Sequence, residues 1–217
     1  MEDYKVKRVG VVDYDAGNLK SVETALEYLG ADYEISKDPE TLARTDKLIF
    51  PGVGEAGAAM DRLRHYGLDD FLREFFRMGK YILGICLGAQ IVLSKSEETD
   101  TGCLDLIPGT ALKFSGEGGL KVPHMGWNTV HVTGESLLFK GIPEDSSFYF
   151  VHSYYPSPDD PERVIARTDY GLQFCSAICR DNLYAVQFHP EKSGRWGLQL
   201  LHNYIADIGP RCIQGRD

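Results

Sequence analysis

Residues 80–90 read Lys-Tyr-Ile-Leu-Gly-Ile-Cys-Leu-Gly-Ala-Gln, an apolar run that meets a cysteine set between two glycines. A buried-type strand over 81–85 runs straight into Gly84-Ile85-Cys86-Leu87-Gly88, and a helical pattern over 87–94 begins at once. Few chain paths accept that order. Small residues two before and two after a central side chain permit the sharp strand–turn–helix bend that lifts it out of a sheet. Glycine supplies the backbone freedom and the close approach. The surrounding pattern agrees. Extended apolar runs at 8–13, 33–36 and 47–50 alternate with helical spacing at 17–29, 56–63 and 68–78. Strands alternating with helices imply right-handed βαβ units and a mostly parallel sheet with helices on both faces.

After residue 110 the character changes. Runs at 111–114, 129–133, 147–152, 163–168, 174–180 and 183–188 are short, extended and separated by Gly, Pro, Asp and Asn. That is antiparallel, hairpin-type material. The chain closes on an amphipathic helical pattern over 194–208, with Leu198, Leu201 and Ile205 on one side. No repeat or linker divides it, so the expected architecture is α/β in a single domain over 1–217: an open, mostly parallel sheet plus antiparallel C-terminal strands.

Charge and cysteine content remove several functions. With 23 Lys+Arg against 32 Asp+Glu the net charge is −9, and no basic block is present to hold nucleic acid or an anionic membrane. The most apolar stretch, 81–93, is interrupted by Gln90 and is too short to span a bilayer. The charged N-terminus lacks a signal peptide's apolar core, so a cytoplasmic protein is expected. The five cysteines (86, 103, 175, 179 and 212) are odd in number, with no Cys-x-x-Cys pair. Five reduced thiols and no metal site are the expectation.

Cys86 differs from the other four by its position. A helix starting just after it favours a thiolate, and the N–H of Leu87 lies where an oxyanion would form. Taken alone, the same residues also fit a small thiol packed at a βα turn. A nucleophilic thiolate needs a base, and the base needs an orienting group. His189, in Ala-Val-Gln-Phe-His-Pro-Glu-Lys-Ser-Gly at 185–194, sits at the end of an apolar strand with Glu191 two residues on. In extended chain both side chains project to one side. A capping histidine beside a solvated glutamate is the plainer alternative. Pro51-Gly52-Val53-Gly54-Glu55 follows the 47–50 strand and can present a second backbone N–H to an oxyanion; it can equally be a tight βα turn.

These motifs, in this order, resemble the class I (triad-type) glutamine amidotransferases. That resemblance covers nearly the whole chain. It implies a flavodoxin-like open α/β sheet, no cofactor, and a Cys86–His189–Glu191 triad that hydrolyses L-glutamine to glutamate and ammonia through a cysteine thioester. It assigns the oxyanion to the backbone of Gly52, Val53 and Leu87, and substrate binding to Gln90 and Glu98. Within the class, Asp13-Tyr14-x-x-Gly17-Asn18-Leu19, the Val-Pro-His-Met-Gly-Trp-Asn of 122–128 and the Phe-Val-His-Ser-Tyr-Tyr of 150–155 are similar to the glutaminase subunits of imidazole glycerol phosphate synthases. Those subunits form heterodimers with a (β/α)8-barrel cyclase. The likeness implies that the loop bearing Pro123, His124, Met125, Trp127 and Asn128, together with Lys192, faces that partner. For Trp127, packing in the core is the competing reading. Asp15-Ala16 and Ala89 depart from the family pattern, which leaves open a paralogue that feeds ammonia to another synthase, such as one that amidates sugars. A catalytically silent homologue and a cysteine hydrolase of a related fold are the remaining alternatives.

Overall fold

In the computed structural model, residues 8–15, 19–116, 119–206 and 208 are described. The first half runs β1 (Val9–Val12), α1 (Leu19–Tyr28), β2 (Tyr33–Ser36), α2 (Pro39–Ala43), β3 (Lys47–Gly52), α3 (Ala56–His65), α4 (Leu68–Arg77), β4 (Tyr81–Cys86) and α5 (Leu87–Ile91). Then come β5 (Leu93–Ser96), β6 (Thr101–Gly102), β7 (Ile107–Lys113), β8 (His124–Thr129), β9 (His131–Val132), β10 (Ser147–His152) and β11 (Tyr154–Pro158). The chain ends with β12 (Val164–Tyr170), β13 (Leu172–Arg180), β14 (Leu183–Val186) and α6 (Gly194–Ala206).

The main sheet has the order β2-β1-β3-β4-β14-β13-β12-β9. Its first five strands are parallel, and β13, β12 and β9 extend it antiparallel. Alternation along each strand divides the apolar residues between two faces. Val11, Ile49, Leu83 and Ile85 pack with Val22 and Leu26 of α1 and Leu200, Leu201 and Tyr204 of α6. Leu48, Phe50 and Ile82 pack with Met60 and Leu63 of α3 and Leu72 and Phe75 of α4. Helices therefore cover both faces, as the α/β pattern requires. A buried lysine fastens the end of α6: Lys47 Nζ donates to the carbonyls of Tyr204 at 2.6 Å and Ile205 at 3.1 Å.

Beside this sheet stand a four-stranded sheet, β11-β7-β5-β6, and a two-stranded ribbon of β10 with β8. Both depart from the expected pattern. The helix after Cys86 stops at Ile91 instead of continuing to 94, because Leu93–Ser96 leaves it to pair with β6 and β7. Residues 124–129 form a strand rather than a loop, in antiparallel register with β10 from His124↔His152 to Thr129↔Ser147. The proline-bearing β11 is an edge strand, a position that tolerates a missing N–H donor. Cys86, Cys103 and Cys175 are free, but Cys179 is disulfide-bonded, against the expectation of five reduced thiols. Cys212 and residues 16–18 of the early motif lie outside the described residues.

Candidate active site

Three motifs far apart in the chain end on neighbouring strands. The order β3-β4-β14 brings together the carboxyl ends of three parallel strands, where open α/β sheets place ligands. Gly52 closes β3 directly opposite Cys86, the last residue of β4, and His189 follows β14.

Cys86 has φ 56° and ψ −108°, a conformation that non-glycine residues rarely hold. Its two glycine neighbours make the bend possible. A Cβ on Gly88 would collide with the Phe50 carbonyl oxygen, and one on Gly84 would lie 3.0 Å from the Gly88 backbone. The elbow is thus pressed against β3. Leu87 opens α5, so its N–H has no acceptor inside the helix. The sulfur, in a residue 6% exposed, lies 3.9 Å from the Val151 carbonyl and 3.7 Å from Gln187 Nε2, which donates to it.

His189 Nδ1 is 2.7 Å from Glu191 Oε1, with side chains 2% and 4% exposed. The route to that contact differs from the extended one expected: Glu191 lies in a 3-10 turn, Pro190–Lys192, whose first position is the proline. Proline suits that place because its missing N–H is not needed there. The His189 backbone is clamped by its N–H to the Tyr149 carbonyl at 2.9 Å and by Ser193 Oγ donating to its carbonyl at 2.6 Å. His189 Nε2 is buried and has no hydrogen-bond partner among the described residues. Burial disfavours the imidazolium, but the Cys86 sulfur and the Glu191 carboxylate outweigh it and raise His189 to about 10.

Cys86 and His189 line one cavity of about 310 Å³ with Val53, Leu87, Gln90 and Glu98. A larger cleft of about 530 Å³ around residues 132–144 holds no thiol or imidazole and offers no comparable chemistry. Glu98 Oε2 accepts from the Ala56 N–H at 2.7 Å, and burial raises its carboxyl above the ordinary value. Gln90 is 4% exposed, and both its N–H groups are committed: to the Tyr154 carbonyl at 2.9 Å and to Gln187 Oε1 at 3.0 Å. Its Oε1 remains as the atom that can accept from a ligand. This set can hold a small molecule bearing a cationic amine and place its carbonyl carbon against a sulfur beside a histidine–carboxylate pair.

The residues expected at a partner surface divide by strand alternation. Met125 and Trp127 are 61% and 59% exposed, whereas Pro123 lines the cavity. Trp127 thus lies outside the core, its ring edge toward Tyr149 at 6.2 Å. His124 does not face outward. It is 3% exposed, stacked between Tyr170 at 3.9 Å and Phe150 at 4.8 Å, with Nδ1 2.9 Å from His152 Nε2. Asn128 is half-buried, 3.2 Å from His124 Nε2, and donates to the Asp169 carbonyl at 2.9 Å. Lys192 is half-buried in the turn beside His189.

Two groups escaped the sequence reading. Gln187 sits two residues before His189, and that spacing on a strand end was the available signal. The Tyr14 hydroxyl is buried against Gly52 with no partner among the described residues, and burial first and Cys86 second raise it.

The model of the family "Glutamine amidotransferase class-I" matches residues 10–207. The chain belongs to the class I glutamine amidotransferases. Among relatives of this amidotransferase is the imidazole glycerol phosphate synthase subunit HisH of Maridesulfovibrio salexigens, 48% identical over 202 residues, spanning 90% of this chain and 95% of that one. The protein of the same name from Chlorobaculum tepidum is 48% identical over 198 residues, with 90% and 98% covered. Solved structures share the fold. A glutamine amidotransferase superposes with TM-score 0.69 at 22% identity over 92% of this chain and 99% of that one. The structure of PurLQS from Thermotoga maritima gives 0.71 at 19% identity over 92% and 97%. Among the described residues no helix is long and apolar enough to cross a membrane.

Proposed function

We propose that this chain is the glutaminase subunit of an imidazole glycerol phosphate synthase, one domain over residues 1–217 working in the cytoplasm without a cofactor. The observation that carries the reading is the convergence of Cys86 and the His189–Glu191 pair on one cavity at three adjacent strand ends. The names of the relatives support the histidine-pathway partner over a sugar-amidating paralogue.

The cavity's polar groups suit L-glutamine. Glu98 and Gln90 Oε1 accept from its α-ammonium group. The Cys86 thiolate attacks the side-chain amide carbon, and the carbonyl electron pair moves onto oxygen. The Leu87 N–H and the Gly52-Val53 backbone hold that oxyanion. His189 gives a proton to the amide nitrogen, the C–N bond breaks, and ammonia leaves a γ-glutamyl thioester on Cys86. Water, deprotonated by His189, then attacks the thioester; glutamate departs and the thiol is restored. Glu191 holds the imidazole and stabilises its charged form throughout.

A (β/α)8-barrel cyclase docks over the face carrying Pro123, Met125, Trp127, Asn128 and Lys192, receives the ammonia, and makes imidazole glycerol phosphate and AICAR. His124 supports that face from beneath. Met125 and Trp127, exposed apolar side chains on one side of β8, are the anchors.

The test is glutamate release by the purified chain, alone and with the barrel subunit plus its acceptor nucleotide. Release rises with the partner. Cys86→Ala lowers glutamine-dependent turnover by about 10³-fold or more, while ammonium salts sustain synthase activity. Undiminished glutamine hydrolysis in Cys86→Ala overturns the reading.

A further inference from the structure

We propose that Gln187 is the positioning residue of Cys86: its side-chain amide aims an N–H at the sulfur and favours the thiolate. The proposal rests on the reading of Cys86 as the nucleophile.

The direction of the amide follows from one backbone carbonyl. The Tyr154 oxygen can only accept, so the Gln90 atom 2.9 Å from it is nitrogen. The second N–H on that nitrogen points to the Gln187 side chain at 3.0 Å, so the atom met there is an oxygen. Gln187 Nε2 is therefore turned the other way, onto Cys86 Sγ at 3.7 Å. Neither amide can flip without setting two donors or two acceptors against each other. Backbone contacts hold the root of the side chain, since the Gln187 N–H donates to the Ser176 carbonyl at 2.9 Å.

Gln187 is fully buried and takes no part in lining the cavity, so it touches no substrate. Its two routes to the reaction are the sulfur, through Nε2, and Gln90, through Oε1. Two titratable groups face that sulfur, His189 and the buried Tyr14 hydroxyl, and between them it meets one acceptor, the Val151 carbonyl at 3.9 Å, and one fixed amide donor, Gln187 Nε2. The thiol can donate its proton to Val151, whereas the thiolate can only accept, and accepts more strongly because it is charged. A donor fixed on a titrating atom stabilises the charged form.

The experiment follows alkylation of Cys86 by iodoacetamide across pH, located by peptide mass spectrometry, alongside glutamine kinetics. Gln187→Met keeps length and approximate volume and removes both the donor to the sulfur and the acceptor of Gln90. The alkylation rate at neutral pH falls about tenfold, and its pH profile moves up by about one unit. The kcat for glutamine falls, and a rise in KM reports the lost contact to Gln90 separately. Gln187→Glu keeps an acceptor for Gln90 but turns a carboxylate on the sulfur, and moves the profile further up. If Gln187→Met does not fold, the side-chain amide resonances of Gln187 in the wild-type chain read the same contact, by shifting as Cys86 ionises. Profiles that superimpose on wild type, or amide resonances indifferent to Cys86, overturn the proposal. A merely structural role lowers thermal stability without displacing the profile. Failure of the nucleophile reading is seen separately: wild type alkylated at Cys86 would still hydrolyse glutamine.

Discussion

Two walls of the same cavity bury histidines and treat them in opposite ways. On the parallel side, His189 faces the Cys86 sulfur and carries the Glu191 carboxylate on Nδ1, and the two together raise it to about 10. On the antiparallel side, His152 and its neighbour His124 are lowered to about 3 and about 4, burial being the first cause in each. All three are at most 5% exposed, so burial alone does not separate them. The partners do. His152 Nδ1 lies 2.8 Å from the Tyr154 carbonyl, which can only accept, so that nitrogen bears the proton. A neutral His152 then accepts at Nε2 from His124 Nδ1, and His124 Nε2 accepts from Asn128 Nδ2. The result is a neutral relay that runs one way and ends on the carbonyl that also fixes Gln90. One region favours the charged imidazole; the other is built to remain uncharged.

The strongest way to break this contrast is to remove the carboxylate. In Glu191→Gln, burial of His189 is no longer opposed by that charge, and its environment approaches that of His152. Glutamine hydrolysis is expected to fall by about 10³- to 10⁴-fold, as when the orienting carboxylate is removed from a Ser-His-Asp triad. The imidazole should titrate lower by NMR. Activity within tenfold of wild type would mean that Glu191 does not set the state of His189.

Acid offers a second, smaller test. His124 and His152 have native values below the unfolded one, so the unfolded chain binds more protons and stability falls as pH drops below about 6.5. His189, raised, has the opposite sign: its contribution is full below about 6.5 and is lost as pH climbs toward 10. Between pH 7 and 5 the two lowered histidines dominate, and the net loss is about 3 kcal/mol. Denaturant titrations at a series of pH values read it directly. About two protons should be taken up on unfolding near pH 5, and a flat profile would deny the neutral relay.

These contrasts were unequally legible in the sequence. Cys86 could be read because its glycines are local: the bend needs them within two residues on either side. His189 and Glu191 are likewise neighbours in the chain, although Pro190 joins them through a turn instead of an extended segment. The alternating apolar and helical runs carried the parallel half of the fold. The relay was hidden because its members come from β8, β10 and a backbone carbonyl, and no spacing rule links 124, 128, 152 and 154. The 122–128 motif was also read as a unit. A strand divides it, sending Met125 and Trp127 out and His124 in, and Pro123 with Gly126 disguised it as a loop. Gln187 was overlooked because a glutamine two residues before a histidine carries no chemistry until both are seen beside the same sulfur.

The finest test converts one histidine environment toward the other. Asn128 Nδ2 lies 3.2 Å from His124 Nε2, and its Oδ1 accepts from the Thr129 N–H at 2.8 Å. Asn128→Asp retains the second contact and replaces the first donor with an acceptor. His124 must then donate from Nε2, yet its Nδ1 must still donate to His152, because His152 is fixed by the Tyr154 carbonyl. Only the imidazolium has both N–H groups. The aspartate should therefore raise His124 and charge it near neutral pH, much as Glu191 does for His189. Loss of the bond to the Asp169 carbonyl costs about 1 kcal/mol, so the change in stability at pH 7 is small. The proton count is the sharper reading: uptake on unfolding near pH 5 should drop from about two to about one, and both His124 N–H protons should be visible by NMR. If uptake stays near two, burial among Phe150, Tyr170 and His152 outweighs an adjacent carboxylate, and the difference between the two walls would have to lie in the Cys86 sulfur rather than in Glu191.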